Sequence, residues 1–226
     1  MLLIASTILF QITAKDVPFA RDIAAFIAAD RKNPPASGQI LFVGSSSFTK
    51  WTDVASYFPK HRILNRGFGG SSLTDVIRYQ DQIIYSYHPA QIVIYCGEND
   101  FAGNPKISAY QVYQRFATLY SSIRQHMPST PVSFVSAKPS PSRWSMRAKF
   151  IAFNGWVREL SMNDHSLTFI DVWEAMLDKD RRPMTDIFLD DNLHMNAKGY
   201  KIWAPIIEPT LVKQKEPVKI VMKPTR

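Results

Sequence analysis

Five short apolar runs alternate along the chain with longer segments in which apolar residues recur at helical spacing. The apolar runs span residues 39–43, 62–65, 91–96, 132–137 and 167–171. The helical segments cover residues 18–31, a stretch from about Leu73, 107–126, roughly 145–160, and a stretch from about Ala197. Short apolar strands that alternate with helices are typical of a parallel sheet covered on both faces. The pattern predicts a three-layer α/β/α domain with a five-stranded parallel sheet.

Polar clusters follow four of the predicted strands. They read GSSS at 44–47, GFGGSS at 67–72, GEND at 97–100 and KPSPSR at 138–143. In a parallel sheet the carboxyl ends of all strands lie at the same edge, where open α/β sheets bind their ligands. We therefore expect these four loops to converge on one functional site.

Length and composition indicate a globular protein with one domain, which we place at residues 15–212. The chain has 226 residues, of which 46% are hydrophobic and 20% are charged, and these are ordinary globular values. Its single cysteine, Cys96, follows an apolar run and is expected to be a small buried core residue. One cysteine allows neither an internal disulfide nor a thiolate metal cluster.

The net charge of +8 at pH 7 raises the question of nucleic-acid binding. Half of it lies in a basic tail at residues 213–226, where five lysines and arginines stand against one glutamate, a net charge of +4. Such a tail is more typical of a solvated extension than of a recognition element. The sequence shows no zinc finger, no RNA-binding aromatic motif and no base-reading basic helix. We predict no nucleic-acid partner.

The first residues, 1–14, are apolar and are followed by the charged stretch KDVPFARD. The run is too short to span a bilayer, so no transmembrane segment is predicted, but it suits a signal peptide or its remnant. The basic segment that normally precedes such a region is missing, and a buried first strand is the alternative. We expect a periplasmic or secreted protein, or a cytoplasmic one if the run is not a signal.

A serine hydroxyl becomes nucleophilic when a histidine, oriented by a carboxylate, accepts its proton. Among the five histidines, His194 stands out because Asp191 lies three residues before it. In one helical turn or tight loop both side chains can project in the same direction. Alternatively, Asp191 caps the following helix and His194 is exposed. The residues alone leave both interpretations open.

Acyl transfer also needs donors for the negative oxygen of the tetrahedral intermediate, the oxyanion. The pair Gly69-Gly70 offers unobstructed backbone N–H groups, and Asn99 offers a side-chain amide. Each signal is weak alone, because a glycine pair can be a simple turn and an Asn-Asp pair at a strand end is often a turn or helix cap.

In combination and order, these motifs resemble the SGNH/GDSL hydrolase family. The resemblance runs from about Ile40 to Pro205, with GSSSFTKW, NRGFGG, YCGEND and DDNLHMNAKGY as its four blocks. The chain is also similar to a bacterial, often exported, subgroup that carries G-S-S-S, N-R-G-F-G-G and K-P-S-P-x-R-W together. The family's usual first block is Gly-Asp-Ser-Leu, and here Ser45 and Ser47 replace its aspartate and leucine.

The resemblance implies the SGNH hydrolase fold, which is flavodoxin-like, and a serine esterase without metal or organic cofactor. It implies Ser46 as nucleophile, Asp191 and His194 as the rest of the triad, and Ser46, Gly70 and Asn99 as the oxyanion hole. The expected partner is a small-molecule ester, with a short acyl group such as acetyl on a carbohydrate or a small lipid-like alcohol.

Ser45, Arg143 and Trp144 are candidates for substrate contacts, although Trp144 could equally pack against the sheet. Two other functions stay open. One is a non-catalytic binding module on the same fold. The other is a flavodoxin-like phosphate-binding protein in which GSSS holds a phosphate at a helix N-terminus, a reading that leaves Asp191 and His194 without a role.

Overall fold

The computed structural model describes residues 17–214. The predicted leader at 1–14 and most of the predicted basic tail, from residue 215 onward, lie outside this range. Within it, no helix has both the length and the apolar character needed to cross a membrane.

All five predicted strands are present and form one parallel sheet. Their bounds are β1 (Ile40–Gly44), β2 (Ile63–Gly67), β3 (Gln91–Tyr95), β4 (Val132–Val135) and β5 (Leu167–Ile170). The spatial order is β2-β1-β3-β4-β5, which is the flavodoxin-like order. Both neighbours of β1 are parallel to it, with Ile40 opposite Ile63 on one side and Gln91 on the other. The predicted fold class is confirmed.

The predicted helical segments are also present, with ends shifted by a few residues. The α-helices of the described range are α1 (Ala20–Lys32), α2 (Ser46–Thr49), α3 (Val54–Tyr57), α4 (Leu73–Ile83), α5 (Glu98–Gly103), α6 (Ala109–His126), α7 (Arg147–Asn163) and α8 (Ala197–Ile207). A 3-10 segment, Pro141–Met146, precedes α7. Helices α2, α3 and α5 were not predicted, because helices of four to six residues are too short to show a helical period.

The strands separate two apolar layers because successive side chains of a strand point to opposite faces. Leu41 and Val43 belong to the layer that also receives side chains from α1, α4, α6 and α7. Ile40 and Phe42 belong to the other layer, which receives side chains from α2, α3 and α8. Since β1 is fully buried on both faces, it reads in the sequence as a continuous apolar run.

The end of β1 shows why a glycine must stand before the three serines. Gly44 has a φ of +136°, and a Cβ at this position would lie 2.0 Å from the Tyr95 carbonyl oxygen on β3. Any side chain would therefore push β1 and β3 apart. The glycine lets the chain turn from the sheet directly into α2, which carries Ser46.

Candidate active site

Accessibility distinguishes the three consecutive serines. Ser45 precedes α2 and is only 4% exposed, and Ser47 on α2 is 1% exposed. Ser46 is partly exposed at the start of α2. Of the three hydroxyl-bearing residues, Ser46 is therefore the one that a molecule from solvent can reach.

The glycine turn after β2 lies beside Ser46. A Cβ on Gly69 would be 3.9 Å from the Cβ of Ser46, so the turn passes at van der Waals distance. Gly70 has a φ of +88°, in the left-handed region that favours glycine, and its closest neighbour at the Cβ position is the ring of Phe19. The absence of side chains at both positions keeps the turn's backbone accessible next to Ser46.

Asn99, on the short helix α5, connects the ends of three strands. Its Nδ2 donates to the Ser45 hydroxyl at 3.3 Å and to the Ser71 carbonyl at 2.9 Å. Ser45 follows β1, Ser71 belongs to the glycine turn after β2, and Asn99 follows β3. The amide of Asn99 is thereby brought to the same place as the serine and glycine loops. Ser45, a candidate substrate contact, has its hydroxyl buried against Asn99.

The neighbouring Asp100 also ties these loops together. One carboxylate oxygen accepts a hydrogen bond from the backbone N–H of Leu73 at 2.9 Å, at the start of α4, and the other accepts from Arg115 at 2.7 Å. Burial raises the pKa of Asp100, while the hydrogen bonds from Arg115 and Leu73 oppose this effect. Asp100 therefore caps a helix, as an Asn-Asp pair often does, but the helix is α4 and not its own.

Asp191 and His194 form a hydrogen-bonded pair in the loop before α8. His194 Nδ1 and an Asp191 carboxylate oxygen are 2.6 Å apart, and the other carboxylate oxygen accepts from the backbone N–H groups of Leu193 and His194 at 2.9 Å each. Asn196, and not Asp191, caps α8. With Nδ1–H facing the carboxylate, Nε2 of the imidazole is the free proton acceptor.

The charge state of Asp191 suits this arrangement. Burial acts to raise its pKa, but hydrogen bonds from the His194 side chain and from the backbone outweigh burial and lower the pKa to about 2. Asp191 is therefore ionised throughout the neutral range, and it can stabilise a positive charge on the imidazole.

Helix α8 joins the histidine segment to the serine segment. The Tyr200 hydroxyl donates to the Ser47 carbonyl at 2.9 Å, and the Tyr200 ring stacks on Trp51 with 4.6 Å between ring centroids. In residues 17–214, the hydrogen bonds of the His194 side chain go to Asp191 and not to a serine. The packing of α8 against α2 is what brings the two segments to the same side of the sheet.

The segment after β4 lies beside the histidine loop and reaches Asn99. The Ser142 N–H donates to the Asn192 carbonyl at 3.1 Å. Arg143 then donates to the Asn99 side-chain oxygen at 2.7 Å and to Glu98 at 3.2 Å. The remaining candidate, Trp144, lies in an aromatic stack with Trp173, with centroids 6.2 Å apart.

A buried charge cluster, consisting of Glu98, Lys138 and Arg143, lies next to Asn99, which Arg143 contacts directly. Lys138 Nζ donates to Glu98 at 3.3 Å and to the Tyr95 hydroxyl at 3.1 Å. The Lys138 N–H donates to Glu98 at 3.0 Å, and the Tyr95 hydroxyl is a further donor to Glu98. No role was predicted for Glu98 or Lys138, although both lie in polar loops that stand out in the sequence. The available signal was a charged residue three positions after the end of both β3 and β4.

Electrostatics keep this cluster charged. Burial acts to raise the pKa of Glu98, but the adjacent Lys138 and Arg143 cations outweigh burial and hold it below its ordinary value. Burial lowers the pKa of Lys138, and Glu98 opposes this effect. Arg143 adds to the lowering of the pKa of Lys138, so Glu98 is the group that stabilises both cations, and buried charges persist in proteins when they are paired in this way.

The fold and the loops at its carboxyl edge, which present serine, glycine, asparagine and histidine in order, are those of SGNH hydrolases. The sequence model of the GDSL-like lipase/acylhydrolase family matches residues 37–202. The chain therefore belongs to this family of acylhydrolases. No curated protein matches the sequence.

Solved structures share the fold at low sequence identity. One is described as a platelet activating factor from Streptococcus pneumonia, with 18% identity, a TM-score of 0.72, and coverage of 84% of this chain and 91% of that chain. A GDSL-like lipase from Bacteroides thetaiotaomicron has 16% identity, a TM-score of 0.71, and coverage of 83% and 96%. A carbohydrate esterase family 3 structure from Talaromyces cellulolyticus has 16% identity, a TM-score of 0.59, and coverage of 76% and 95%.

Proposed function

We propose that this acylhydrolase-family protein is a serine esterase that hydrolyses short-chain carboxylic esters through Ser46. The observation that carries the proposal is the 2.6 Å pair of Asp191 and His194 in the loop before α8, a helix whose Tyr200 is hydrogen-bonded to the backbone of Ser47, next to Ser46. An ionised carboxylate that orients an imidazole in this way is the arrangement that a general base for a serine hydroxyl requires. A phosphate-binding loop would have no use for this pair.

The proposed reaction is acyl transfer in two steps. Ser46 attacks the ester carbonyl while His194 Nε2 takes the hydroxyl proton, and Asp191 stabilises the imidazolium. The Ser46 and Gly70 N–H groups and the Asn99 amide stabilise the oxyanion. The imidazolium then protonates the leaving alcohol as the bond between the acyl carbon and the alcohol oxygen breaks, which leaves the acyl group on Ser46. In the second step His194 activates water, which releases the acid and restores Ser46.

The surface around the site supports a short acyl group. The exposed large apolar side chains of the described residues are Tyr110, Ile151, Trp156, Met162 and Leu189. Four of them lie on α6 and α7, and Leu189 alone lies in a loop near His194. One exposed leucine provides little apolar surface for a long acyl chain, so we propose acetyl or a similarly short group.

For the alcohol, we propose a carbohydrate or a small lipid-like molecule. Structures with the same fold include proteins described as carbohydrate esterases and as a GDSL-like lipase, so both alcohol classes occur on this scaffold. The experiment that separates them is a hydrolysis panel of acetylated sugars and lysophospholipid, run with the same preparation.

The esterase proposal is tested with p-nitrophenyl esters of graded acyl length. We expect turnover that is greatest for acetate and that falls by about 10²-fold or more in Ser46→Ala, because water alone replaces the nucleophile. Ser121→Ala is the matched control, since it removes an exposed hydroxyl on α6, outside the loops that carry the site. It should keep most of the activity. Equal, negligible rates for the wild type and Ser46→Ala would instead favour the binding module.

We also propose export through the apolar run at residues 1–14. Expression of the full chain in a bacterial host, followed by mass analysis of the periplasmic protein, tests this. We expect a shortened amino terminus and loss of periplasmic protein when residues 1–14 are deleted. Full-length protein confined to the cytoplasm would contradict the proposal.

A further inference from the structure

We infer that Arg143 is a positioning residue: it holds the Asn99 amide so that its NH₂ group, and not its oxygen, faces the reacting oxyanion. This inference rests on the proposed function, in which Asn99 is an oxyanion donor. It gives Arg143 a task different from the substrate contact expected from the sequence.

The two ends of an asparagine amide have nearly the same shape but opposite hydrogen-bonding character. A guanidinium can only donate hydrogen bonds, so the end of Asn99 that meets Arg143 must be the oxygen. The observed contact, Arg143 Nη2 to Asn99 Oδ1 at 2.7 Å, obeys this rule. The other end, Nδ2, donates to the Ser71 carbonyl at 2.9 Å, and a carbonyl can only accept. The second hydrogen of Nδ2 faces the Ser45 hydroxyl at 3.3 Å, and it is the hydrogen that would turn to the oxyanion. If the amide were rotated by 180°, its NH₂ group would face the N–H groups of Arg143, and its oxygen would face the Ser71 carbonyl oxygen.

Arg143 is itself held in place on the protein side. Its second nitrogen donates to Glu98 at 3.2 Å, and Glu98 is buried and bonded to Lys138 and Tyr95. The fork of the guanidinium thus bridges two consecutive residues, Glu98 and Asn99. A lysine at this position would have a single nitrogen and could not reproduce the planar fork.

The same contact strengthens Asn99 as a donor. A cation bonded to the amide oxygen draws electron density from the NH₂ group, and hydrogen bonds in such a chain polarise one another. Since the Arg143 side chain is largely buried, water screens this effect little. Arg143 therefore sets both the direction and the strength of the amide that would stabilise the oxyanion.

A double-mutant cycle with p-nitrophenyl acetate tests whether Arg143 acts through Asn99. We expect kcat to fall about 10²–10³-fold in Asn99→Ala and by about 10-fold or more in Arg143→Met, with KM nearly unchanged in both. In the Asn99→Ala background, Arg143→Met should cost little more, because the two residues act as one unit. Arg143→Lys, which keeps the charge but not the fork, should stay well below wild type.

The matched control is Arg181→Met, which removes an exposed arginine that pairs with Glu174. It should leave kcat unchanged. Additive losses in the cycle, or a rise in KM alone, would overturn the inference and indicate that Arg143 contacts the substrate directly. Unfolding midpoints identify any variant that fails to fold. If Arg143→Met does not fold, Arg143→Lys replaces it in the double-mutant cycle.

A second measurement does not depend on activity. In protein labelled with ¹⁵N-asparagine, the Asn99 side-chain signal is identified by its loss in Asn99→Ala. We expect that signal to move in Arg143→Lys and Arg143→Met and to stay in place in Arg181→Met. An unmoved signal in both Arg143 variants overturns the positioning role. If the signal moves but the wild type shows no Ser46-dependent hydrolysis, the proposed function fails while the positioning of Asn99 stands.

Discussion

Replacing Glu98 by glutamine is expected to destabilise the protein more than replacing Lys138 by methionine, although the two residues form one buried ion pair. Both side chains are almost completely buried, and their charged atoms are 3.3 Å apart. The difference comes from Arg143, which also binds Glu98, at 3.2 Å. The cluster thus holds one anion between two cations.

The magnitude follows from the charge that each change leaves behind. Glu98→Gln leaves two cations without an anion, and breaking a buried pair in this way costs about 3–5 kcal/mol of unfolding free energy. Lys138→Met leaves Glu98 paired with Arg143 and still bonded to the backbone N–H of residue 138. The change removes the two hydrogen bonds of the Lys138 ammonium, to Glu98 and to the Tyr95 hydroxyl. Because no lysine charge then has to be buried, part of this loss is offset, and we expect a net cost of about 1–3 kcal/mol.

The pH dependence has a definite sign. Burial already lowers the pKa of Lys138, and Glu98 is the main group that opposes this, so Glu98→Gln lowers that pKa further. In the unfolded chain Lys138 keeps its ordinary pKa and binds more protons than in the folded variant. Stability of Glu98→Gln therefore rises relative to wild type as the pH rises from 7 to 9.

Urea unfolding followed by circular dichroism at pH 7 and pH 9 measures these free energies. Arg181→Met, which breaks an exposed pair, serves as the control and should change stability by less than about 1 kcal/mol. The reasoning is refuted if Lys138→Met lowers the free energy of unfolding as much as Glu98→Gln does at pH 7. It is also refuted if the difference in free energy of unfolding between Glu98→Gln and wild type is the same at pH 9 as at pH 7.

Two further predictions concern the triad and the turn into α2. Asp191→Asn should lower kcat for p-nitrophenyl acetate by about 10⁴-fold, because a neutral amide cannot hold the His194 tautomer or stabilise the imidazolium; a loss below tenfold would contradict this role. Gly44→Ala should cost more than about 4 kcal/mol in urea unfolding, since its Cβ would lie 2.0 Å from the Tyr95 oxygen. Gly155→Ala, on α7 with no atom near its Cβ position, is the control and should stabilise by up to about 1 kcal/mol.

The strands and long helices could be predicted because their signals are local. A run such as Ile40–Gly44, buried on both faces, can be recognised from its own residues. The Asp191–His194 contact was one of two interpretations that the residues left open, since a separation of three residues allows both side chains to project from one turn. The helix α5, Glu98–Gly103, could not be recognised, because six residues do not establish a period.

The sequence by itself determined a five-stranded parallel α/β fold with polar loops at one edge, and it identified the candidate residues on those loops. Only the tertiary structure decided which of the three serines is accessible, and that Arg143 meets Asn99, 44 positions away. Periodicity constrains neighbours along the chain. Exposure of a hydroxyl and the partner of a guanidinium depend instead on how distant segments pack, and spacing in the sequence does not encode that.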